Sequence, residues 1–150
     1  MTPPQPEAVI FTGIQASGKT TFYRERFAAT HVRISLDDAD SRTKERTLLG
    51  RALSERKSFV VDNTNATAAH RAEYVAAARE AGFKVISYFF RTDTKKAIAR
   101  NKLRVGKERI PAPGVYATAK RLRVPVLAEG FDELYEVEIV DGAGFSERRL

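Results

Sequence analysis

One segment of the sequence has the residue types and the spacing needed to hold a chain of phosphates. Residues 13–20, Gly-Ile-Gln-Ala-Ser-Gly-Lys-Thr, match the pattern GxxxxGK[ST] at every fixed position. Gly13 and Gly18 permit backbone angles and close approaches that a Cβ would block, so successive N–H groups can point at phosphate oxygens. Lys19 supplies a positive charge for the β- and γ-phosphates, and the Thr20 hydroxyl is a hard oxygen ligand suited to Mg²⁺.

The neighbouring elements agree with a P-loop that binds ATP. An apolar strand is predicted over residues 8–12, and a helix begins near Lys19, so the loop lies between a strand and a helix N-terminus. The alternative is a chance glycine turn, and the pattern alone does not separate a kinase from an ATPase or a GTPase. The residues expected to bind the nucleotide are Gly13, Gln15, Ala16, Ser17, Gly18, Lys19, Thr20 and Thr21.

A second signal is Asp62, which follows the apolar residues 59–61. An aspartate at the end of such a strand is well placed to stand near a P-loop magnesium ion, so Thr20 and Asp62 are the predicted metal residues. The alternative is a turn or helix-capping aspartate. Asn63 and Asn65 come next, at the sheet edge where ligands bind in open α/β folds, and they are predicted to contact the phosphate acceptor.

The acceptor chemistry is assigned to Asp37. This is the first carboxylate after the second predicted strand, residues 32–35. Phosphoryl transfer to a hydroxyl needs a carboxylate that orients the nucleophile and takes its proton. The alternative is a solvated acidic loop that caps the next helix through Asp40 or Ser41, and we prefer that interpretation for Asp38 and Asp40.

A basic segment near residues 94–112 predicts a lid. Arg100 and Arg104 are four residues apart, so they share a helix face, and a guanidinium over the γ-phosphate would offset charge in the transition state. The alternative is a solvated basic helix. The positively charged residues of the segment are Lys95, Lys96, Arg100, Lys102, Arg104, Lys107 and Arg109.

Composition narrows the classes of protein and of partner. The chain has 26 Lys and Arg against 19 Asp and Glu, a net charge of +7, which favours a polyanionic partner such as nucleic acid. It has no cysteine, which excludes disulfides, thiolate metal sites and a cysteine nucleophile. Residues 1–7 resemble a flexible arm without a signal-peptide pattern, and no apolar run approaches ~20 residues. We therefore expect a soluble cytoplasmic protein.

Alternating strands and helices define the expected fold. Strands are predicted near residues 8–12, 32–35, 58–62, 84–90 and 135–140, and helices near 19–30, 42–56, 67–81, 94–104 and 115–122. This alternation is typical of a parallel sheet covered on both faces. We predict one α/β P-loop domain over residues 8–150, with a five-stranded parallel sheet in the order 2-3-1-4-5.

The order of these motifs resembles that of the 5′-OH polynucleotide kinase family. The resemblance implies ATP-dependent transfer of the γ-phosphate to a 5′-hydroxyl of RNA or DNA. It also implies phosphate and magnesium roles for Lys19 and Thr20, a general base at Asp37, a supporting carboxylate at Asp62, and a lid arginine at Arg100 or Arg104. The resembling segments are residues 13–21, 36–38, 61–65, 99–104, 110–111 and 129–132.

Position 40 departs from that family. Several such kinases carry an arginine three residues after the catalytic aspartate, whereas this chain has Asp40 there, and Arg42 is the nearest arginine. Arg42 is therefore the predicted acceptor-binding arginine. Two alternatives stay open: a kinase for a small metabolite or nucleoside that uses the same residues, and a regulatory nucleotide-binding module with slow ATP hydrolysis.

Overall fold

The computed structural model describes residues 4–35, 41–103, 110–140 and 144–150. The strands are β1 (Glu7–Thr12), β2 (Val32–Ile34), β3 (Phe59–Val61), β4 (Lys84–Phe90), β5 (Glu133–Val140) and β6 (Gly144–Arg149). The helices are α1 (Lys19–Arg26), α2 (Arg42–Ser54), α3 (Ala68–Glu80), α4 (Thr94–Asn101) and α5 (Ala112–Arg121), followed by a 3₁₀ turn (Leu127–Glu129). Within these ranges, no helix has both the length and the apolar composition needed to cross a membrane.

The strands form one sheet in the order β2-β3-β1-β4-β5-β6. The first five strands pair in parallel, which confirms the predicted fold and strand order, and β6 pairs antiparallel with β5. The sheet has six strands rather than the five predicted, and β6 is the strand that was missed. Its sequence, Gly-Phe-Ser-Glu-Arg-Arg, contains a single large apolar residue, so it carries no apolar run.

Apolar residues of β1 and β3 point alternately to two cores, one on each side of the sheet. Ala8 and Ile10 pack with side chains from α2 and α3 on one face. Val9 and Phe11 pack with Phe22 of α1 on the other face. The central strands are therefore buried on both sides, as a parallel sheet between two helical layers requires. This packing fixes the carboxyl ends of β1, β2 and β3 next to one another.

Residues 5–7, part of the segment expected to be a flexible arm, contact β4 and the turn before it. Glu7 belongs to β1 and pairs with Lys84 in the ladder. The Pro6 carbonyl accepts a hydrogen bond of 2.9 Å from the Lys84 amide, and the Gln5 side-chain amide donates to the Gly82 carbonyl at 3.0 Å. β1 therefore begins one residue earlier than predicted, because its backbone pairing with β4 extends to Glu7, ahead of the first apolar residue, Ala8.

A buried ion pair fastens α3 to the 3₁₀ turn and to the loop after β3. The Arg71 guanidinium donates to Glu129 at 2.8 Å and 3.1 Å and to the Asn65 carbonyl at 2.7 Å. The Arg71 side chain is 1% exposed and that of Glu129 is 13% exposed. Burial alone raises the pKa of Glu129, but the bonds from Arg71 and from the Val126 amide outweigh it, and the net pKa is lowered.

We expect Glu129→Gln to lower the free energy of unfolding at pH 7 by about 1–3 kcal/mol, because it leaves the buried Arg71 charge poorly paired. The pKa of Glu129 is lower in the folded state than in the unfolded state. The stabilisation is therefore complete above the ordinary value of 4.5 and is lost as the pH falls below it towards the folded-state pKa. Urea unfolding at pH 7 and at pH 3 tests this: the gap between variant and wild type should shrink in acid. A gap of equal size at both pH values would contradict the expectation.

Candidate functional site

Residues 13–20 form a tight loop between β1 and α1. The Gly13 amide donates to the Thr64 carbonyl at 3.0 Å, which ties the start of the loop to the end of β3. A Cβ on Gly13 would lie 2.8 Å from Ser17 Oγ and 2.9 Å from Phe90 Cβ, so only glycine fits there. Ala16 and Gly18 have φ angles of +60° and +93°. Left-handed backbone is a feature of anion-binding nests, in which successive N–H groups point at one ligand, so these two angles fit a phosphate site.

The Lys19 side chain folds back over this loop. Its ammonium group donates to the carbonyls of Gly13 and Ile14 at 3.0 Å and 2.8 Å, and lies 3.5 Å from Ser17 Oγ. The side chain is only partly buried. The structure therefore holds a positive charge beside the backbone amides that the sequence predicts for phosphate binding. Thr21, also predicted to contact nucleotide, is exposed on the first turn of α1.

The two residues predicted to bind magnesium, Thr20 and Asp62, are brought together. The Thr20 hydroxyl donates to Asp62 Oδ2 at 3.0 Å, and the Asp62 side chain is 2% exposed. Both supply hard oxygens, which suit Mg²⁺. Among the residues that the structure describes, no group of three or more His, Asp or Glu side chains could hold a metal ion. The pair nevertheless fits Mg²⁺, since this ion usually keeps several waters and takes only one or two protein oxygens besides phosphate.

Arg33 is a residue of this site that sequence reasoning missed. Its Nε donates to Asp62 Oδ2 at 2.8 Å and its Nη2 donates to Thr20 Oγ1 at 3.3 Å. The side chain is 18% exposed. The strand alternation contained the signal, because Ile34 faces the core beneath α2 and α3, so Arg33 must face the side of the sheet that α1 covers. A charged residue on that face needs a partner, and Asp62 provides it.

A buried network lies next to the site, between α2 and α3. The Glu45 carboxylate is 3% exposed; it accepts from the Tyr74 hydroxyl at 2.5 Å and from Asn63 Nδ2 at 2.9 Å. Arg42 lies 3.5 Å from the same carboxylate, but its side chain is 62% exposed. Burial and the neighbouring Glu45 raise the pKa of Tyr74, so the phenol stays a proton donor. The network fixes Asn63 and leaves Arg42 facing solvent beside it.

Asn65, which was predicted to contact the acceptor, has its side-chain amide bonded to the protein itself. Its amide is buried and donates to the Phe11 carbonyl at 2.8 Å, while its backbone has a φ of +43°. Asn tolerates this left-handed angle better than most residues do. Asn65 therefore joins the loop after β3 to the end of β1.

Helices α4 and α5, here called the α4–α5 pair, pack directly on the P-loop. Ile14 and Ala16 of the loop share a small core with Ala97 and Val115. Arg100 Nη1 lies 3.4 Å from the Ala16 carbonyl, so this predicted lid arginine does reach the loop.

Gln15 joins the same loop to α5, because its Nε2 donates to Thr118 Oγ1 at 3.0 Å. Two other predicted catalytic residues, Asp37 and Arg104, lie outside the described residues.

The α4–α5 pair carries charge of one sign only. Residues 94–103 and 110–128 contain no Asp or Glu. None of the side chains of Lys95, Lys96, Lys102, Lys120 and Arg121 forms an ion pair with another described residue. Tyr116, one turn before Lys120, is 54% exposed. The seven positive residues of these two ranges are Lys95, Lys96, Arg100, Lys102, Lys120, Arg121 and Arg123.

The fold and the loop together define an α/β P-loop kinase-like domain. Residues 38–124 match the sequence profile of an AAA domain family, AAA_33, and the chain belongs to that family. The matched range begins after the P-loop, so the loop is evidence independent of the profile. Family and fold together support phosphoryl transfer of the P-loop kinase type.

Known proteins similar to this chain include one curated relative. The bifunctional polynucleotide phosphatase/kinase of Schizosaccharomyces pombe is 25% identical over 135 residues, which cover 87% of this chain and 33% of the relative. The chain thus spans about a third of the length of the curated relative it matches.

Solved structures share the fold at low identity. The PezAT toxin–antitoxin system of Streptococcus pneumoniae superposes with a TM-score of 0.71 at 15% identity, covering 98% of this chain and 73% of that chain. Chaetomium thermophilum Kti12, solved with ADP-AlF3, gives 0.64 at 20% identity and covers 91% of each chain. A gluconokinase from Sinorhizobium meliloti gives 0.60 at 15% identity, covering 88% of this chain and 82% of that chain. At these identities the likeness shows the fold alone.

Proposed function

We propose that this domain transfers the γ-phosphate of ATP to a 5′-hydroxyl end of RNA or DNA. The observation that carries the proposal is the uniformly basic α4–α5 pair, which lies against the P-loop and therefore beside any reacting phosphate. A surface of this charge attracts a polyanionic acceptor. The name of the curated relative, a polynucleotide phosphatase/kinase, points to the same acceptor. We assign residues 8–150 to one kinase domain, with a lid near 94–112.

The reaction assigns a separate role to each part of the site. Backbone amides of the loop and the Lys19 ammonium would hold the β- and γ-phosphates, and Thr20 with Asp62 would hold Mg²⁺. Bound Mg²⁺ would neutralise charge on the phosphates. Asp37 would accept the proton of the acceptor hydroxyl as its oxygen bonds to the γ-phosphorus.

The bond from that phosphorus to the β–γ bridging oxygen breaks, and ADP leaves with its electrons. Arg100, already at the loop, would stabilise the charge that develops. The direct test is transfer of labelled γ-phosphate to an oligonucleotide with a 5′-hydroxyl, compared with the same oligonucleotide carrying a 5′-phosphate. Labelling of the first alone is expected, and labelling of neither would refute the proposal.

The acceptor strand is expected to lie along the exposed side of the α4–α5 pair. Lys120 and Arg121 would contact backbone phosphates, and the exposed ring of Tyr116 is available to stack on a base. Each neutralised phosphate releases condensed counterions, which gives log affinity for a single strand a slope near −0.7 per contact against log salt. Three contacts would give a slope of about −2.

We expect the double variant Lys120→Glu/Arg121→Glu to weaken oligonucleotide binding at saturating nucleotide and to make the salt slope shallower by up to about 1.4, the share of two contacts. A matched charge reversal, Arg51→Glu/Lys57→Glu, changes one residue in the last turn of α2 and one just after it, and should leave both quantities unchanged. Fluorescence anisotropy with a labelled single strand at several salt concentrations measures the slopes. A flat salt response of the wild type, with equal rates on a nucleoside and a long oligonucleotide, would favour the small-molecule kinase instead.

A further inference from the structure

We propose that Arg33 competes with Mg²⁺ for Thr20 and Asp62 and so sets the metal affinity of the site. The inference uses only the nucleotide half of the proposed function and is independent of the acceptor. It rests on three side chains, from β2, from the end of β3 and from the first turn of α1, that converge on two oxygen atoms. Arg33 is a positioning residue in this account, because it acts through the metal ligands rather than on the reacting atoms.

The Thr20 hydroxyl acts as donor to one partner and as acceptor from another. A threonine hydroxyl has one proton to donate and two lone pairs that accept. Here the proton goes to Asp62 Oδ2 at 3.0 Å, and one lone pair accepts from Arg33 Nη2 at 3.3 Å. Mg²⁺ would need a lone pair of the same oxygen. The contact from Arg33 therefore occupies one of the two lone pairs through which Thr20 could bind a metal ion.

The positive charge of Arg33 is a second reason why this residue and Mg²⁺ should compete for Asp62. The Asp62 carboxylate is almost fully buried, and among the described residues Arg33 is the cation paired with it, through the 2.8 Å bond from Nε. A guanidinium does not lose its proton in proteins, so Arg33 cannot avoid a second cation by becoming neutral. Two cations a few ångströms apart repel strongly when solvent is largely excluded. Binding of Mg²⁺ and the contact between Arg33 and Thr20 must therefore weaken each other.

A purely structural role for Arg33 predicts something different. In that case Arg33 would only balance the buried Asp62 charge, and its loss would destabilise the fold to the same extent with or without metal. Competition predicts instead that losing Arg33 strengthens metal binding, and that the added metal restores much of the lost stability. The two interpretations therefore differ in the expected change of metal affinity when Arg33 is lost: competition predicts an increase, and a structural role predicts none.

The test uses Mn²⁺, a paramagnetic substitute for Mg²⁺, with saturating ADP and no acceptor. Free Mn²⁺ is measured by electron paramagnetic resonance for wild type, Arg33→Gln and Arg51→Gln, a loss of one exposed charge at the far end of α2. We expect Arg33→Gln to bind Mn²⁺ at least about tenfold more tightly, a modest effect for removing a like charge at close range. Arg51→Gln should match the wild type, and Mg²⁺ should raise the melting temperature of Arg33→Gln more than that of the wild type.

An unchanged or weaker Mn²⁺ affinity in Arg33→Gln would overturn the inference. If that variant does not fold, Arg33→Lys decides the question, since lysine keeps the charge pair with Asp62 but has no second nitrogen for Thr20. Its Mn²⁺ affinity should lie above that of the wild type, and equality would overturn the inference as well. A wild-type protein that binds no Mn²⁺ with ADP would refute both this inference and the nucleotide site itself. Failure to phosphorylate any oligonucleotide would leave the expected Mn²⁺ results unchanged.

Discussion

Lys19→Ala should reduce kcat for phosphoryl transfer by at least about 10²–10³-fold, the usual loss when one donor aimed at developing charge is removed. The Lys19 ammonium lies over the loop carbonyls of Gly13 and Ile14, next to the amides expected to bind phosphate. Alanine removes this charge but leaves the backbone loop and the two cores in place. Initial rates with labelled γ-ATP measure the loss, and circular dichroism measures the fold.

The matched control for this lysine is Lys57→Ala. Lys57 is 62% exposed and pairs only with Glu55 among the described residues, so its loss removes one positive charge far from the loop. We expect its kcat to equal that of the wild type. A folded Lys19→Ala protein with near-normal turnover would contradict the assignment of the P-loop as the phosphate site.

Asp37→Asn should reduce kcat by about 10²–10⁴-fold, the usual cost of losing a general base. Asparagine keeps the shape of the side chain but cannot take a proton. The structure gives a reason to look for the base in this part of the chain, because the Ile34 carbonyl at the end of β2 accepts from the Asp62 amide at 2.8 Å. The chain thus leaves β2 next to the predicted metal pair. ATP affinity should change little, since this residue serves the acceptor.

Asp38→Asn is the control for Asp37, because it makes the same chemical change one residue further along. We expect it to retain most of the wild-type kcat. The rates of the two variants with saturating acceptor distinguish the candidates. If Asp38→Asn lost most of its activity while Asp37→Asn kept it, Asp38 would be the base instead.

The sequence predicted the parallel part of the fold because that part is encoded by apolar runs. Strands such as residues 84–90 are buried on both faces and therefore stand out from the helices around them. β6 was missed because it is an edge strand that contributes one apolar ring, Phe145, which packs 5.1 Å from Phe22 of α1. β6 also contacts α1 through the ion pair of Glu147 with Arg26, which no hydrophobic pattern reveals.

The sequence predicted Thr20 from the loop motif and Asp62 from its place after an apolar strand, and the two meet because β3 lies directly beside β1. It did not predict Arg33 or Glu45, since a charged residue in a short strand or on a helix is normally expected at the surface. Asn65 was assigned to the acceptor for its polarity, whereas in the structure it is buried and its amide is bonded to a backbone carbonyl. These three differences have one cause: partners that are distant in sequence determine whether a polar side chain faces solvent, ligand or protein.

Competition among acceptors for one labelled phosphate tests the central claim most directly. The protein, Mg²⁺ and γ-labelled ATP are incubated with an equimolar mixture of a 5′-hydroxyl oligonucleotide, a nucleoside and a sugar such as gluconate, and the labelled products are separated. We predict that nearly all the label appears at the 5′ end of the oligonucleotide, and that Lys19→Ala abolishes it. Label on the nucleoside or the sugar, with the oligonucleotide unlabelled, would contradict the polynucleotide assignment, and labelled inorganic phosphate alone would contradict a kinase.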